Sequence, residues 1–143
     1  MRNLAGKRVL ITGGAMGIGY FTAQQFARAG CELILTDINA EALGRAAAEL
    51  RETGVPVHSY SYDVSEQRKV EEVAASVRAD IGDVDILINN AGIGHAGELV
   101  DTPMGTWRRL MDVNFWGPLY HVYAYLPGMI ERRSGQIVNV SSG

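Results

Sequence analysis

Short, near-continuously apolar runs alternate along this chain with longer stretches in which apolar positions recur every three or four residues. Arg8-Val9-Leu10-Ile11 reads as a strand. A glycine-rich turn follows, then Ile18, Phe21, Thr22, Phe26 and Ala29 at helical spacing, with Gly30 placed to close the helix in the left-handed conformation. Glu32 to Thr36, built on Leu33-Ile34-Leu35, is short enough for a buried strand and runs into Asp37. Asn39 is placed to cap a helix whose Leu43, Ala47 and Leu50 share a face, with Gly54 closing it and Pro56 forbidding its continuation. Val57 to Tyr62 is a third strand. Ser65 then caps a helix with an apolar stripe at Val70, Val73, Ala74, Val77 and Ile81, ended by Gly82, and Val84 to Ile88 is a fourth strand.

Beyond Asn89-Asn90-Ala91-Gly92 the pattern loosens. Thr102 and Pro103 read as the N-cap and first-turn residue of a helix with Trp107, Leu110 and Met111 inward. Gly117-Pro118 and Pro127 interrupt the helical stretch that runs to Arg133, so two helices or one kinked helix are expected. Gly135 introduces a fifth strand, Gln136 to Val140. Most of the strands are apolar throughout, as in a parallel sheet covered on both faces, so the expected class is α/β, a doubly wound parallel sheet of five strands with right-handed crossovers. No repeat or linker divides the 143 residues, and one domain over 1–143 is expected.

Composition narrows the partners. Hydrophobic residues at 47% and charged residues at 20% suit a soluble globular chain. The net charge of -3 and the scattered arginines form no basic stripe, so a small molecule is expected as partner, with neither nucleic acid nor a membrane surface. No apolar run approaches the roughly 18 residues of a membrane span, and Met1 to Lys7 lack a signal peptide's apolar region, which makes the cytoplasm the expected location. Cys31 is the only cysteine, which excludes an internal disulfide or a cysteine cluster for zinc, and it reads as a small buried hydrophobe. His58, His95 and His121 lack paired spacing, so no metal site is expected. His58 reads as an ordinary strand residue, whereas His95, in Gly94-His95-Ala96-Gly97, lies near where a substrate would sit.

The chemistry centres on Thr12-Gly13-Gly14-Ala15-Met16-Gly17-Ile18-Gly19 between the first strand and the first helix. A segment so poor in side chains lets the backbone approach a phosphate, and the N-H groups and positive dipole end of the helix attract its charge. A P-loop is excluded, because Tyr20 and Phe21 stand where a Lys-Ser or Lys-Thr pair would follow. Taken alone, the loop fits either a pyrophosphate cradle or a glycine turn that packs a helix onto a strand. Asp37 ends the second strand, 18 residues past Gly19, where a carboxylate can accept both hydroxyls of an adenosine ribose and repel a 2'-phosphate, a preference for NAD over NADP. Taken alone, it also reads as an acid at a helix start.

Thr12-Gly13-x-x-x-Gly17-x-Gly19, Asp63-Val64, Asn89-Asn90-Ala91-Gly92, Asn114 and Ile137-Val138-Asn139-Val140-Ser141-Ser142 together resemble the short-chain dehydrogenase/reductase family, in that family's order over the whole chain. The resemblance implies a Rossmann-type sheet that binds NAD or NADP and passes a hydride between nicotinamide and an alcohol or carbonyl carbon. By resemblance, Thr12, Gly13, Gly17, Ile18 and Gly19 hold the dinucleotide, Asp37 the adenosine ribose, and Asp63 with Val64 the adenine. Asn90, Ala91 and Gly92 border the ribose and nicotinamide side. Asn114 matches the catalytic Asn, which holds a water in a proton relay, and Ser142, rather than Ser141, the catalytic Ser. Without the resemblance, Asn114 reads as a satisfied polar residue in a helix and Ser142 as a strand-end cap.

One departure is large. The family's Tyr-x-x-x-Lys motif lies beyond the catalytic Ser, outside these residues, and Lys7 and Lys69 do not follow a tyrosine by four. A tyrosine without a nearby cation keeps a pKa near 10 and is a poor base at neutral pH. The family's later strands and the segment shaping its substrate pocket are also absent from these residues. The expectation is an NAD-dependent oxidoreductase acting on an alcohol or ketone, with this chain carrying the cofactor-binding part, inactive alone and assembling as a homo-oligomer. The rival reading is a non-catalytic dinucleotide-binding or regulatory module.

Overall fold

A computed structural model describes residues 3–142. Strands β1 (Arg8–Thr12), β2 (Glu32–Asp37), β3 (Val57–Ser61), β4 (Ile86–Asn89) and β5 (Gln136–Asn139) form one sheet in the order β3-β2-β1-β4-β5, every pair parallel. The chain winds outward from β1 to β3, then crosses back to place β4 on the other side of β1. The order reverses there, which opens a crevice at the C-terminal ends of β1 and β4.

Continuous apolar runs are what a two-faced core demands. Val9, Ile11, Leu33, Leu35 and Ile88 pack towards α1 (Gly17–Arg28) and α2 (Ala40–Arg51), while Leu10, Ile34 and Leu87 pack towards α3 (Gln67–Asp80) and α5 (Gly117–Glu131). Full burial of each such side chain contributes about 1.5–3 kcal/mol. The expected doubly wound α/β class is the one observed, and Cys31 is buried where β2 begins. Asn39 caps α2 as expected, its Oδ1 accepting the Ala42 N-H at 3.0 Å, and Leu43, Ala47 and Leu50 are buried.

Several local expectations are corrected. On α1 the buried residues are Gly19, Ala23 and Ala27, whereas Ile18 and Phe21 are 66% and 64% exposed. The helix lies too close for larger side chains: a Cβ on Gly19 would collide with the Gly13 carbonyl oxygen and come within 2.6 Å of Asn90 Nδ2. Ser65 does not cap α3; its hydroxyl donates to Asp63 Oδ1 at 2.7 Å, and the helix starts after Glu66. Thr102 is likewise diverted, donating to the Glu98 carbonyl at 2.8 Å, and Pro103 takes the N-cap of α4 (Met104–Met111). Trp107 and Met111 are exposed and α4 buries no residue; Val113, just beyond it, is the buried anchor.

The helical stretch is continuous from α4 to α5, joined by a π turn at Asp112–Trp116. Pro118 has no N-H, so a carbonyl four or five residues earlier, on Val113 or Asn114, goes without its helical donor. Gly117 is a packing glycine rather than a breaker, since a Cβ there would meet Val64 Cγ2 at 2.9 Å. Pro127 is accommodated inside α5 on its solvent side. The strands are shorter than expected: β3 stops at Ser61, β4 starts at Ile86 and β5 stops at Asn139, where its partner β4 also ends.

Candidate functional site

The crevice is floored by backbone. Past β1 the chain turns through Gly13 at φ +65° and reaches Gly17 at φ +55°, a left-handed conformation that glycine adopts without strain. α1 starts there behind Met16 with no side-chain cap and no acidic residue in its first turn. Its leading N-H groups are thus free of side-chain acceptors at the positive end of the helix dipole, an arrangement that attracts an anion.

Thr12 and Gly19 shape this loop from behind. The buried Thr12 hydroxyl accepts the N-H groups of Asn90 and Ala91, each at 3.0 Å, and the Asn90 side-chain amide donates to the carbonyls of Thr12 at 3.1 Å and Gly13 at 3.2 Å.

On one side of Asn90 lies a cavity of about 280 Å³ bounded by Gly13, Met16, Asp37, Asp63, Val64 and Arg109. Asp37 Oδ2 accepts the Ala15 N-H at 3.1 Å and Oδ1 accepts the Asn39 N-H at 3.0 Å, tying the glycine loop to the end of β2 while leaving lone pairs for further donors. Asp63 Oδ1 accepts both the N-H (2.9 Å) and the hydroxyl (2.7 Å) of Ser65, and Oδ2 pairs with Arg109 Nη2 at 2.7 Å. Partial burial disfavours the charge on Asp63, but the two Ser65 bonds and the Arg109 guanidinium outweigh it and hold the carboxyl below the usual carboxylate range. Tyr62 closes the rear of this cavity, its hydroxyl 2.7 Å from Nε2 of the fully buried His121. His121 Nδ1 lies 2.7 Å from the Gly117 carbonyl, which can only accept, so Nδ1 carries the proton and Nε2 accepts from Tyr62.

On the other side is a cavity of about 710 Å³ whose walls include Ile18, Asn114, Phe115, Leu119, Val122 and Ser142. The Asn114 side chain is committed locally, its Oδ1 accepting the Ile93 N-H at 2.9 Å and its Nδ2 donating to the Ile93 carbonyl at 2.8 Å. It therefore fastens the loop after β4 to the π turn. Asn90, Ala91 and Gly92 border both cavities, so the two adjoin across this turn and together form the cleft.

The structure thus gathers Gly13, Ile18, Asp37, Asp63, Val64, Asn90, Ala91, Gly92, Asn114 and Ser142 along the cleft. Gly17 stands at its exposed rim, and Thr12 and Gly19 support it without lining it. His95 lines neither cavity; its Nε2 is 3.1 Å from the Thr102 hydroxyl within its own loop. His58 Nε2 pairs with Glu32 at 2.8 Å at the opposite end of the sheet. Sequence reasoning missed Arg109, Tyr62 and the His121 contact, whose partners are distant in the chain. Among the described residues no helix is long and apolar enough to cross a membrane, and no group of three His, Cys, Asp or Glu is placed to hold a metal ion.

Comparison with known proteins agrees with this geometry. The family model described as short chain dehydrogenase matches residues 7–143. The chain is 43% identical over 142 residues to epidermal retinol dehydrogenase 2 of Mus musculus, covering 99% of this chain and 46% of that protein. It is 38% identical over 141 residues to 17-beta-hydroxysteroid dehydrogenase 13 of Homo sapiens, covering 99% and 47%. Among solved structures, NAD+-bound xylitol dehydrogenase superposes with a TM-score of 0.94 at 37% identity, covering 99% of this chain and 55% of that one. L-sorbose reductase from Gluconobacter frateurii, complexed with NADPH and L-sorbose, superposes at 0.91 with 31% identity, covering 96% and 54%. The chain therefore spans about half the length of the proteins it matches.

Proposed function

The chain belongs to the short chain dehydrogenase family, and from that premise we propose that it carries the cofactor-binding part of an oxidoreductase that moves a hydride between NAD(H) and an alcohol or carbonyl carbon. The observation that carries the reading is the pair of adjoining cavities that extends from Asp37 and Asp63, past the uncapped start of α1, to Asn114 and Ser142.

These residues fit a dinucleotide. Gly13 and Gly19, where a Cβ would strike Ala91, Asn90 or the Gly13 carbonyl, let the loop pack closely against the β4 end, Gly17 meets open space, and the first turn of α1 offers a phosphate its donors. Asp37 has lone pairs left for the adenosine ribose, Asp63 and Val64 flank the adenine, and Asn90 to Gly92 border the nicotinamide side. When bound, the dinucleotide supplies or accepts the hydride. Ser142 would donate a hydrogen bond to the substrate oxygen. The Asn114 amide is occupied by Ile93, but Pro118 frees a carbonyl on Val113 or Asn114, which suits a relay water at this turn.

Asp37 would meet a 2'-phosphate with like charge, and neither Gly14 nor Ile38 brings a cation to offset it, so NAD is preferred over NADP. Ile18, Ile93, Phe115, Leu119, Val122 and Val140 give the larger cavity an apolar wall, which favours an apolar alcohol or ketone, in keeping with the retinol and hydroxysteroid dehydrogenases among the relatives. Tyr123 and Ile130 of α5, 76% and 65% exposed, favour assembly with further copies.

The 143-residue polypeptide contains no Tyr-x-x-x-Lys, and general acid/base help is worth about 100-fold to 10,000-fold, so it should bind NADH without turnover above background. The test combines NADH and NADPH titrations with absorbance assays on a panel of apolar ketones and alcohols. Binding that favours NADH, without turnover, is the expected result. Equal affinity for both cofactors would overturn the NAD preference, and turnover abolished by Ser142→Ala would reveal an acid/base that this account lacks.

A further inference from the structure

We propose that Arg109 is a specificity-determining residue of this cleft, a planar cation that walls its purine end. The proposal rests on the dinucleotide reading above and goes beyond it, because none of the sequence motifs falls on α4.

Three observations carry it. First, Arg109 lines the 280 Å³ cavity together with Met16, Ile38, Val64 and Val113, a slot whose apolar surfaces suit a flat ring. Second, the guanidinium is not a free surface cation. Nη2 is 2.7 Å from Asp63 Oδ2 and Nη1 donates to the Ser65 hydroxyl at 2.8 Å, so two anchors on the β3–α3 turn fix the orientation of its plane. Third, α4 buries none of its own residues, so packing alone does not place this side chain; its polar anchors do. A held guanidinium beside an apolar slot is a stacking face for an aromatic base, an interaction that lysine supplies poorly because it has no plane. The same anchors neutralise Arg109, which keeps it from serving as a receptor for a 2'-phosphate and agrees with the NAD preference argued from Asp37.

A purely structural role, tying α4 to the β3–α3 turn, would be restored by Arg109→Lys, which keeps a cation for Asp63 but has no plane to stack. The test uses the 143-residue chain with NADH as the probe. Dissociation constants are measured for the parent, Arg109→Ala and Arg109→Lys. Saturation-transfer NMR then compares the adenine H2 and H8 signals with those of the nicotinamide protons in the same bound NADH. Arg109→Ala should weaken NADH on the order of tenfold. Its adenine signals should fall relative to the nicotinamide ones, with Arg109→Lys intermediate in both readouts. If Arg109→Ala does not fold, the lysine variant carries the comparison. Unchanged affinity, or weaker binding with an unchanged adenine-to-nicotinamide ratio, would overturn the assignment while leaving the dinucleotide reading intact. A parent protein that does not bind NADH would overturn both.

Discussion

Thr12 and Asn90 hold each other from both directions: the Thr12 hydroxyl accepts the Asn90 backbone N-H at 3.0 Å, and the Asn90 side chain donates to the Thr12 carbonyl at 3.1 Å. They lie 78 residues apart, on the ends of the two strands between which the sheet order reverses. The pair therefore ties together the two walls of the crevice. Thr12→Val keeps the shape but strands the N-H groups of Asn90 and Ala91, which should cost about 1–3 kcal/mol for each that water cannot reach. A lower midpoint in urea together with weaker NADH binding is expected, and a variant as stable as the parent would show that the hydroxyl is dispensable.

Two glycines of the same loop should respond differently to alanine. At Gly17 a Cβ meets open space and the change opposes only the positive φ, at about 1–2 kcal/mol. At Gly19 the Cβ would strike the Gly13 carbonyl, so the helix or the loop must move and the loss should be larger. Denaturant titration of Gly17→Ala and Gly19→Ala tests the order; a Gly17 variant less stable than the Gly19 one would contradict the packing argument.

Burial pushes the His121 pKa below its ordinary 6.5, with the bond to the Gly117 carbonyl opposing the shift only in part. The unfolded chain then binds a proton near pH 6.5 that the folded chain refuses. The stability linked to His121 is present above pH 6.5 and is lost as the pH falls from there towards the lower folded-state value, at no more than about 1.4 kcal/mol per pH unit. Urea unfolding at pH 7.5 and 5.5 should show this decline, and His121→Gln should flatten it. An unchanged slope in that variant would place the pH sensitivity elsewhere.

Much of this was legible in the sequence wherever the signal was local. The strands read correctly because each is a short apolar run, and α2 and α3 because their stripes and glycine stops agree with their packing. Gly13, Asp37 and Asn90 stood out because each stands at or just past a strand end. The inward face of α1 was misread because apolar periodicity favours Ile18 and Phe21, whereas the demand for Gly19 comes from Gly13 and Asn90 in three dimensions. Ser65 and Thr102 look like caps in isolation, but Asp63 and the Glu98 carbonyl compete for their hydroxyls. Arg109 carried no signal, since its carboxylate partner lies 46 residues earlier.

The central claim is that the cleft at the ends of β1 and β4 binds the dinucleotide, and backbone amide exchange with and without saturating NADH tests it most directly. The account predicts slowed exchange in residues 13–19, at the turn and uncapped start of α1, and in residues 90–93 between the two cavities, with α2 and the far end of the sheet unchanged. Saturable NADH binding that leaves both segments unprotected, or that protects only other parts of the chain, would contradict it.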